Sequence, residues 1–296
     1  MRALRASTSI WWEVEKVSNL LAAGIYRYRK SIMFRMMIVV SLILGLITGM
    51  VTDSSTDVEI VYFVGLFLVI AIQISLMIGV EFSNGAIRNK MVAGHGKGMV
   101  FLSELLLSLI STTLLFVVFY GAFAVFNIQW FDNVEAHTIA SVVIGLWLVH
   151  LSLSTICTAI CFFMPYYTAV AAVLDIVLVL AMVFCCHDLR SRFDQPEYTY
   201  SFHSDENGNK TYDNDTPNPK YIPPDSAKYA LLHAAYYIMP HGQLIDHSAA
   251  MATIWRNGFP NEKYLDDLKT APLYSLMTIG TFTAAGLICF RKRNLK

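Results

Sequence analysis

Hydrophobic residues in this chain come in long unbroken runs, not in the short rhythm of soluble amphipathic elements. Met36 to Thr52 holds 17 residues without a charge, Ile60 to Val80 holds 21, and Met99 to Trp130 is interrupted only by Glu104. Thr138 to Leu174 carries no formal charge over 37 residues. A helix rises about 1.5 Å per residue and a bilayer core is about 30 Å thick, so about 20 apolar residues suffice to cross it. The 37-residue run is nearly twice that length. It is expected to break at Met164-Pro165-Tyr166, where proline removes a backbone donor and clashes with the preceding turn. The fourth span then covers about 138–163 and the fifth about 167–186, with Thr270 to Phe290 as the sixth. The expected fold is an all-α polytopic membrane protein with six transmembrane helices.

Other segments follow different patterns. Ile10, Val14, Val17, Leu21 and Ile25 recur at three- and four-residue steps, opposite Glu13, Lys16 and Asn19. An amphipathic helix over 9–25, lying on the membrane surface or against a cytosolic partner, fits that spacing. Residues 188–228, rich in Asp, Asn, Tyr and Pro, read as turns and loop. Tyr229 to Met239 and Gln243 to Trp255 are mostly apolar but too short to span, with Pro240-His241-Gly242 between them. They are expected to form two short re-entrant helices, or else a small helical lid. Re-entrant backbone is tolerated only where protein shields it.

Composition sharpens the class. The chain is 55% hydrophobic and only 15% charged, against about 25% charged in soluble domains. A formal net charge of zero gives no sign of a nucleic-acid partner. The distribution of charge says more. Residues 1–35 carry seven Lys or Arg, the 81–98 loop three and the tail after Phe290 four, whereas 53–59 and 131–137 carry none. Basic residues concentrate on the cytoplasmic side, so both termini and the 81–98 loop are expected there. Four regions result: a cytoplasmic amphipathic segment (1–31), spans one to five with the loop 81–98 (32–186), an extracellular segment (187–269), and the sixth span with its basic tail (270–296).

The loop is the most informative stretch. Glu81-Phe82-Ser83-Asn84-Gly85-Ala86-Ile87-Arg88-Asn89-Lys90 leads into Met91-Val92-Ala93-Gly94, and Lys97 opens the third span. This resembles the permease subunits of ABC-2 type transporters: an acidic residue closing the second span, a Gly-Ala-Ile-Arg step, a short amphipathic helix, then a basic residue. The ending Gly286-Leu287-Ile288-Cys289-Phe290-Arg291-Lys292-Arg293-Asn294-Leu295 is similar to that family's C-terminal pattern. These motifs cover about 30 residues, and the 187–269 segment is longer than the hairpin of the simplest members. The resemblance implies a bacterial plasma-membrane exporter that pairs as a homo- or heterodimer. It implies two ATPase subunits per complex, which bind ATP and Mg. It implies that Asn84, Gly85, Ala86, Ile87, Arg88, Asn89, Lys90 and Met91 form the coupling surface. An accessory or sensory membrane protein without transport is the alternative.

Little in the chain points to an enzyme. Gly94-His95-Gly96-Lys97-Gly98 is the nearest approach to a phosphate-binding loop, but it lacks the first glycine and the Ser or Thr that would hold magnesium. Neither HExxH nor GxSxG occurs, so no catalytic residue is assigned. The histidines of 187–269 lack metal-ligand spacing, and Asp205 to Asp215 does not match a calcium loop, so no metal is expected. Four ionisable residues fall inside the spans: Glu81, Glu104, His150 and Asp175. Each costs roughly 2.5–3.5 kcal/mol at mid-membrane unless compensated. Glu81 and Glu104 are expected to meet Arg88 or Lys90 in a polar cluster, or to snorkel. Asp175 and His150, near the centres of the fifth and fourth spans as drawn here, are expected to touch.

Overall fold

The computed structural model describes residues 17–51, 56–127, 134–164, 168–204, 210–257 and 262–292. Ten helices and one two-stranded hairpin are present among them: α1 (17–30), α2 (Ile32–Val51), α3 (Thr56–Ser83), α4 (Ala86–Val92), α5 (Lys97–Asn127), α6 (Ala136–Phe163), α7 (Thr168–Phe193), β1 (Tyr198–Ser204), β2 (Lys210–Pro217), α8 (Ala227–Ile238), α9 (Pro240–Asn257) and α10 (Glu262–Lys292). Six of these helices, α2, α3, α5, α6, α7 and α10, are long and apolar enough to cross a membrane. The chain is a helical, multi-pass membrane protein. The long charge-free run divides between Phe163 and Thr168, at the proline.

The core lies where α3, α5 and α6 meet, with Phe67, Ile70, Ile74, Phe101, Phe119, Leu146, Val149 and Leu153 all buried. By contrast α2 exposes Ile32, Met36, Val39, Ile43 and Ile47. An apolar face without protein over it is what a hydrocarbon solvent requires of an outer helix. Helix α2 packs closely along α5, and small residues allow that approach. A Cβ on Gly45 would run into the Phe119 carbonyl and the Ala122 methyl. One on Gly49 would come within 3.0 Å of the Phe123 carbonyl, and Asn127 donates to the Gly49 carbonyl at 3.2 Å. Gly45 and Gly49 are a small-xxx-small pair, a spacing that brings membrane helices into contact. Gly45→Val is expected to push α2 off α5 and cost about 1–3 kcal/mol. A thermal midpoint equal to the parent's in detergent would count against this contact.

Three features differ from the sequence expectations. Helix α7 continues to Phe193, beyond the expected end at 186. Arg192 pairs with Asp188 at 2.8 Å and Arg190 with Asp194 at 3.3 Å, so charges that end the apolar run extend the helix as i,i+4 pairs. Part of 188–228, read as loop, is the antiparallel β1–β2 hairpin, with Ser204 opposite Lys210 and Tyr198 opposite Pro217. Tyr198, Thr199, Tyr200 and Phe202 on one arm and Thr211 and Tyr212 on the other have the aromatic and β-branched character of strands. In α1 the buried stripe is Leu20, Gly24 and Tyr28, while Ile25 of the expected apolar stripe is exposed. Residues 9–16 of that expected helix lie outside the described residues.

At the C-terminal end the glycine and phenylalanine of the motif have a packing role. A Cβ on Gly286 would strike the Phe101 ring. Phe290 meets Phe162 edge-on at 4.8 Å, and Phe162 in turn meets Phe82 and Phe101. This ring cluster holds the end of α10 against the end of α3 and the start of α5. Lys97 reaches the Arg291 carbonyl at 3.4 Å beside it. The C-terminal end of α10 and helix α4 therefore occupy the same end of the bundle.

Candidate functional site

Helix α4 begins after a sharp reversal. Gly85 has φ 69° and Gly94 has φ 90°, left-handed values that favour glycine. The seven residues of α4 split into two faces. Ile87 is buried in the core, and Met91 packs against it. Lys90, three residues from Ile87, points the same way. Arg88 and Asn89 are exposed, and Val92 is 80% exposed. Of the eight residues expected to form a coupling surface, Asn84, Arg88 and Asn89 are exposed, Gly85, Ala86, Lys90 and Met91 are half-buried, and Ile87 is internal.

Lys90 is the anchor of α4. Its ammonium donates to Glu81 at the end of α3, at 2.8 Å, and to Glu104 in α5. Arg27 of α1 pairs with the other Glu81 oxygen and approaches Glu104 at 3.9 Å. Two carboxylates and two cations thus form a neutral knot that ties four helices together. Both carboxylates are buried, and an isolated buried charge is strongly unfavourable, so the pairing is what permits them there. The expected cluster exists with Lys90, not Arg88. Arg27 was absent from the sequence expectation, where it counted only as one of seven basic residues in a tail. Beside the knot, Tyr28 is buried, and desolvation and the two nearby glutamates push its hydroxyl well above the usual phenol range.

A second cluster surrounds α9. Pro240 occupies the first helical position, where its missing donor costs nothing. Gly242 sits so close to the Tyr236 carbonyl that a Cβ would collide with it. The first turns of α9 are buried on every side: His241, Gln243, Leu244, Ile245, Asp246, His247 and Ser248. They pack against α6, α10, α7 and α3. Asp246 accepts from Arg190 of α7 at 2.7 Å, from Tyr237 at 2.7 Å and from Tyr236 at 3.3 Å. Gln243 donates to the Tyr237 carbonyl and accepts from Ser275 of α10, both at 2.6 Å.

The histidines of this region are internal. His247 donates from Nδ1 to the Gln243 carbonyl at 2.8 Å, which leaves Nε2 as an acceptor, and its ring fills the space beside Gly145 of α6. His241 lies against Phe67 and against His187, with ring centroids at 6.2 and 5.7 Å. Burial pushes His247 down to about 4 and His241 to about 3. Both are therefore neutral in the folded protein at pH 7. The unfolded chain binds these protons near pH 6.5, so folding stability falls as pH drops below that value. The expected slope is roughly 1 kcal/mol per histidine per pH unit down to the folded pKa. An acid titration of stability checks this, and His241→Gln/His247→Gln should flatten the curve.

His150 and Asp175 are not partners. His150 donates from Nδ1 to the Leu146 carbonyl at 2.6 Å and lies against Phe67, Phe116 and Tyr120. Asp175 accepts from Ser75 of α3 at 2.5 Å and from Cys161 of α6 at 3.6 Å. The expectation fails because His150 lies thirteen residues before the end of α6 whereas Asp175 lies only seven after the start of α7, so the two sit at different depths from the turn between them. Along α6, Cys161 and His150 are eleven residues apart, about 16 Å along the axis. Other buried polar atoms have no hydrogen-bond partner among the described residues, including Gln73 Nε2, Ser108 Oγ, Thr112 Oγ1, His150 Nε2 and Asp175 Oδ1. Among the described residues no three His, Cys, Asp or Glu side chains converge as a metal-ligand set.

No protein-family model matches the chain, and no curated protein matches it.

Proposed function

We propose that this chain is the membrane-spanning permease subunit of an ATP-binding cassette transporter of the ABC-2 type, an exporter driven by a separate ATPase. The observation that carries this is the build of α4. Its inner face is fixed by Ile87 and by the Lys90 ion pairs, and its outer face presents Arg88, Asn89 and Val92. Force applied to such a helix passes directly into α3, α5 and α1 through charged contacts that cannot slide. A loosely held connector would absorb the same force. The interior polar atoms of α3, α5 and α6 are consistent with a route for cargo, since polar groups inside a membrane bundle commonly mark substrate pathways.

In this reading the termini and α4 are cytoplasmic in a bacterial plasma membrane, and 187–269 faces outward with the α8–α9 hairpin re-entering the bundle. Two such chains, alike or different, pair with two ATPase subunits, which bind the ATP and Mg. The test is copurification of an ATPase with the tagged full-length chain. Val92→Asp and Arg88→Glu should abolish that association without altering the thermal midpoint, because both side chains are exposed. Ile87→Asp is unsuitable, since its buried side chain would disturb the fold itself. Labelling of Ala93→Cys only from the cytoplasmic side should accompany a positive result. Failure to recover any ATPase, or labelling from outside intact cells, would sink the proposal.

A further inference from the structure

Helices α1, α2 and α5 enclose an apolar groove of about 460 Å³. Its walls include Ile25, Phe34, Ile38, Leu107 and Leu114, and Arg29 and Arg35 stand at its polar rim. A second cavity of about 410 Å³ adjoins it through the same two arginines and adds Tyr26 and Lys30. Ile25, Ile110 and Leu114 of the groove are all more than 40% exposed. The groove is therefore open sideways, toward the surface that α2 presents to hydrocarbon. Gly24 permits this arrangement by letting α1 lie directly on Leu107.

The charges at the rim are unusual in having nothing to neutralise them. Arg27 turns inward to Glu81, but Arg29, Lys30 and Arg35 are exposed and make no salt bridge among the described residues. No acidic residue occurs anywhere between Lys16 and Asp53. Lys30 rests over the Tyr26 ring at 4.4 Å, on the same side of the helix break at Ser31. Three cations thus converge where the first membrane-crossing helix begins, directly above an apolar slot. In addition the Tyr28 hydroxyl, on a side chain only 3% exposed that lines the groove, has no hydrogen-bond partner among the described residues.

We propose that this groove is a binding site for an anionic phospholipid of the adjoining leaflet, with an acyl chain between α1, α2 and α5 and the phosphate held by Arg29, Lys30 and Arg35. The chemistry matches at both ends. Arginine pairs with phosphate through two parallel donors, and lysine adds a point charge. Basic pockets between membrane helices hold anionic headgroups in the same way. A free phosphate would satisfy the cations but leave the slot unfilled, and a zwitterionic lipid would fill the slot but bring its own cation to a basic rim. Bound lipid would join α1 to α2 and α5 by a route separate from the Arg27 knot, so α1 would be fixed from two sides. This inference needs only the membrane-spanning fold and does not depend on the transporter proposal.

The test is native mass spectrometry of the intact chain released from nanodiscs of equal phosphatidylglycerol and phosphatidylcholine. The expected result is retained phosphatidylglycerol, with at least tenfold preference. Each Lys or Arg near an anionic headgroup contributes roughly fivefold in binding. Arg29→Gln/Lys30→Gln/Arg35→Gln should therefore lower phosphatidylglycerol retention about a hundredfold, while Arg29→Lys/Arg35→Lys keeps most of it. Leu114→Trp fills the slot and should release lipid with all three cations intact. Inorganic phosphate should not displace the bound lipid. A photo-crosslinking residue at position 114 should give a phospholipid adduct. Equal retention of the two lipids, undiminished retention by the triple variant, displacement by phosphate alone, or an adduct to a second polypeptide would each overturn the proposal.

Discussion

Lys90→Met is expected to destabilise the protein by about 3–5 kcal/mol, because it leaves two buried carboxylates facing one arginine. The magnitude follows from burial. Lys90 is 11% exposed, and Glu81 and Glu104 are 7% and 2% exposed, so solvent screens the knot only slightly. Arg27 alone cannot satisfy both carboxylates, since its second nitrogen is already 3.9 Å from Glu104. Reversible denaturation by SDS reads the loss as a lower midpoint. Lys90→Arg should recover most of it, because charge and reach are kept. Replacing the whole knot with uncharged residues of similar size should cost less than the single change, since a buried ion pair contributes little beyond offsetting its own desolvation. A Lys90→Met midpoint equal to the parent's would mean that the carboxylates are not held as described.

Asp246→Ala is the second change with a large expected effect. It removes the acceptor for Arg190, Tyr236 and Tyr237 together and leaves the 19% exposed Arg190 guanidinium with its weaker Asp194 pair at 3.3 Å. A loss of about 2–4 kcal/mol is expected, from two buried tyrosine hydroxyls and part of the guanidinium left without their acceptor. Asp246→Asn should lose less, because an amide oxygen can still accept. The readout that separates a local from a global effect is thiol access. In the parent, a cysteine at Ser248 is buried and should react slowly, whereas in Asp246→Ala it should react readily while α3 and α5 remain folded. Slow labelling in both proteins would show that Asp246 is not what holds α9 in place.

The contrast between the two clusters shows what a sequence can reveal. The spans were legible because the bilayer imposes a length and a polarity on every crossing helix. The break near Pro165 was legible because proline acts locally. The knot was half legible: Glu81, Glu104 and Lys90 lie close in sequence around one loop, but Arg27 arrives from more than fifty residues away, and no local pattern distinguishes it from Arg29. The Asp175–His150 expectation failed because two residues of adjoining helices meet only when they lie equally far from the turn. His150 lies thirteen residues before the end of α6 and Asp175 seven after the start of α7, an offset of about 9 Å along the helix axes. The pairs Asp188/Arg192 and Arg190/Asp194 were visible signals of a different feature, the continuation of α7 past residue 186. The same holds for Gly45 and Gly49, whose four-residue spacing marks the α2–α5 contact.

Of the helices that wall the slot filled by α9, three, α3, α6 and α7, precede it in the chain and α10 follows it. Synthesis runs from the N-terminus at about 5–20 residues per second, so those three are in the membrane several seconds before residue 257 leaves the ribosome. During that interval Gly145 faces the space that the His247 ring later fills. A nascent chain that stalls before Pro240 therefore lacks the helix that packs against α3, α6 and α7, and its bundle stays short of the native packing.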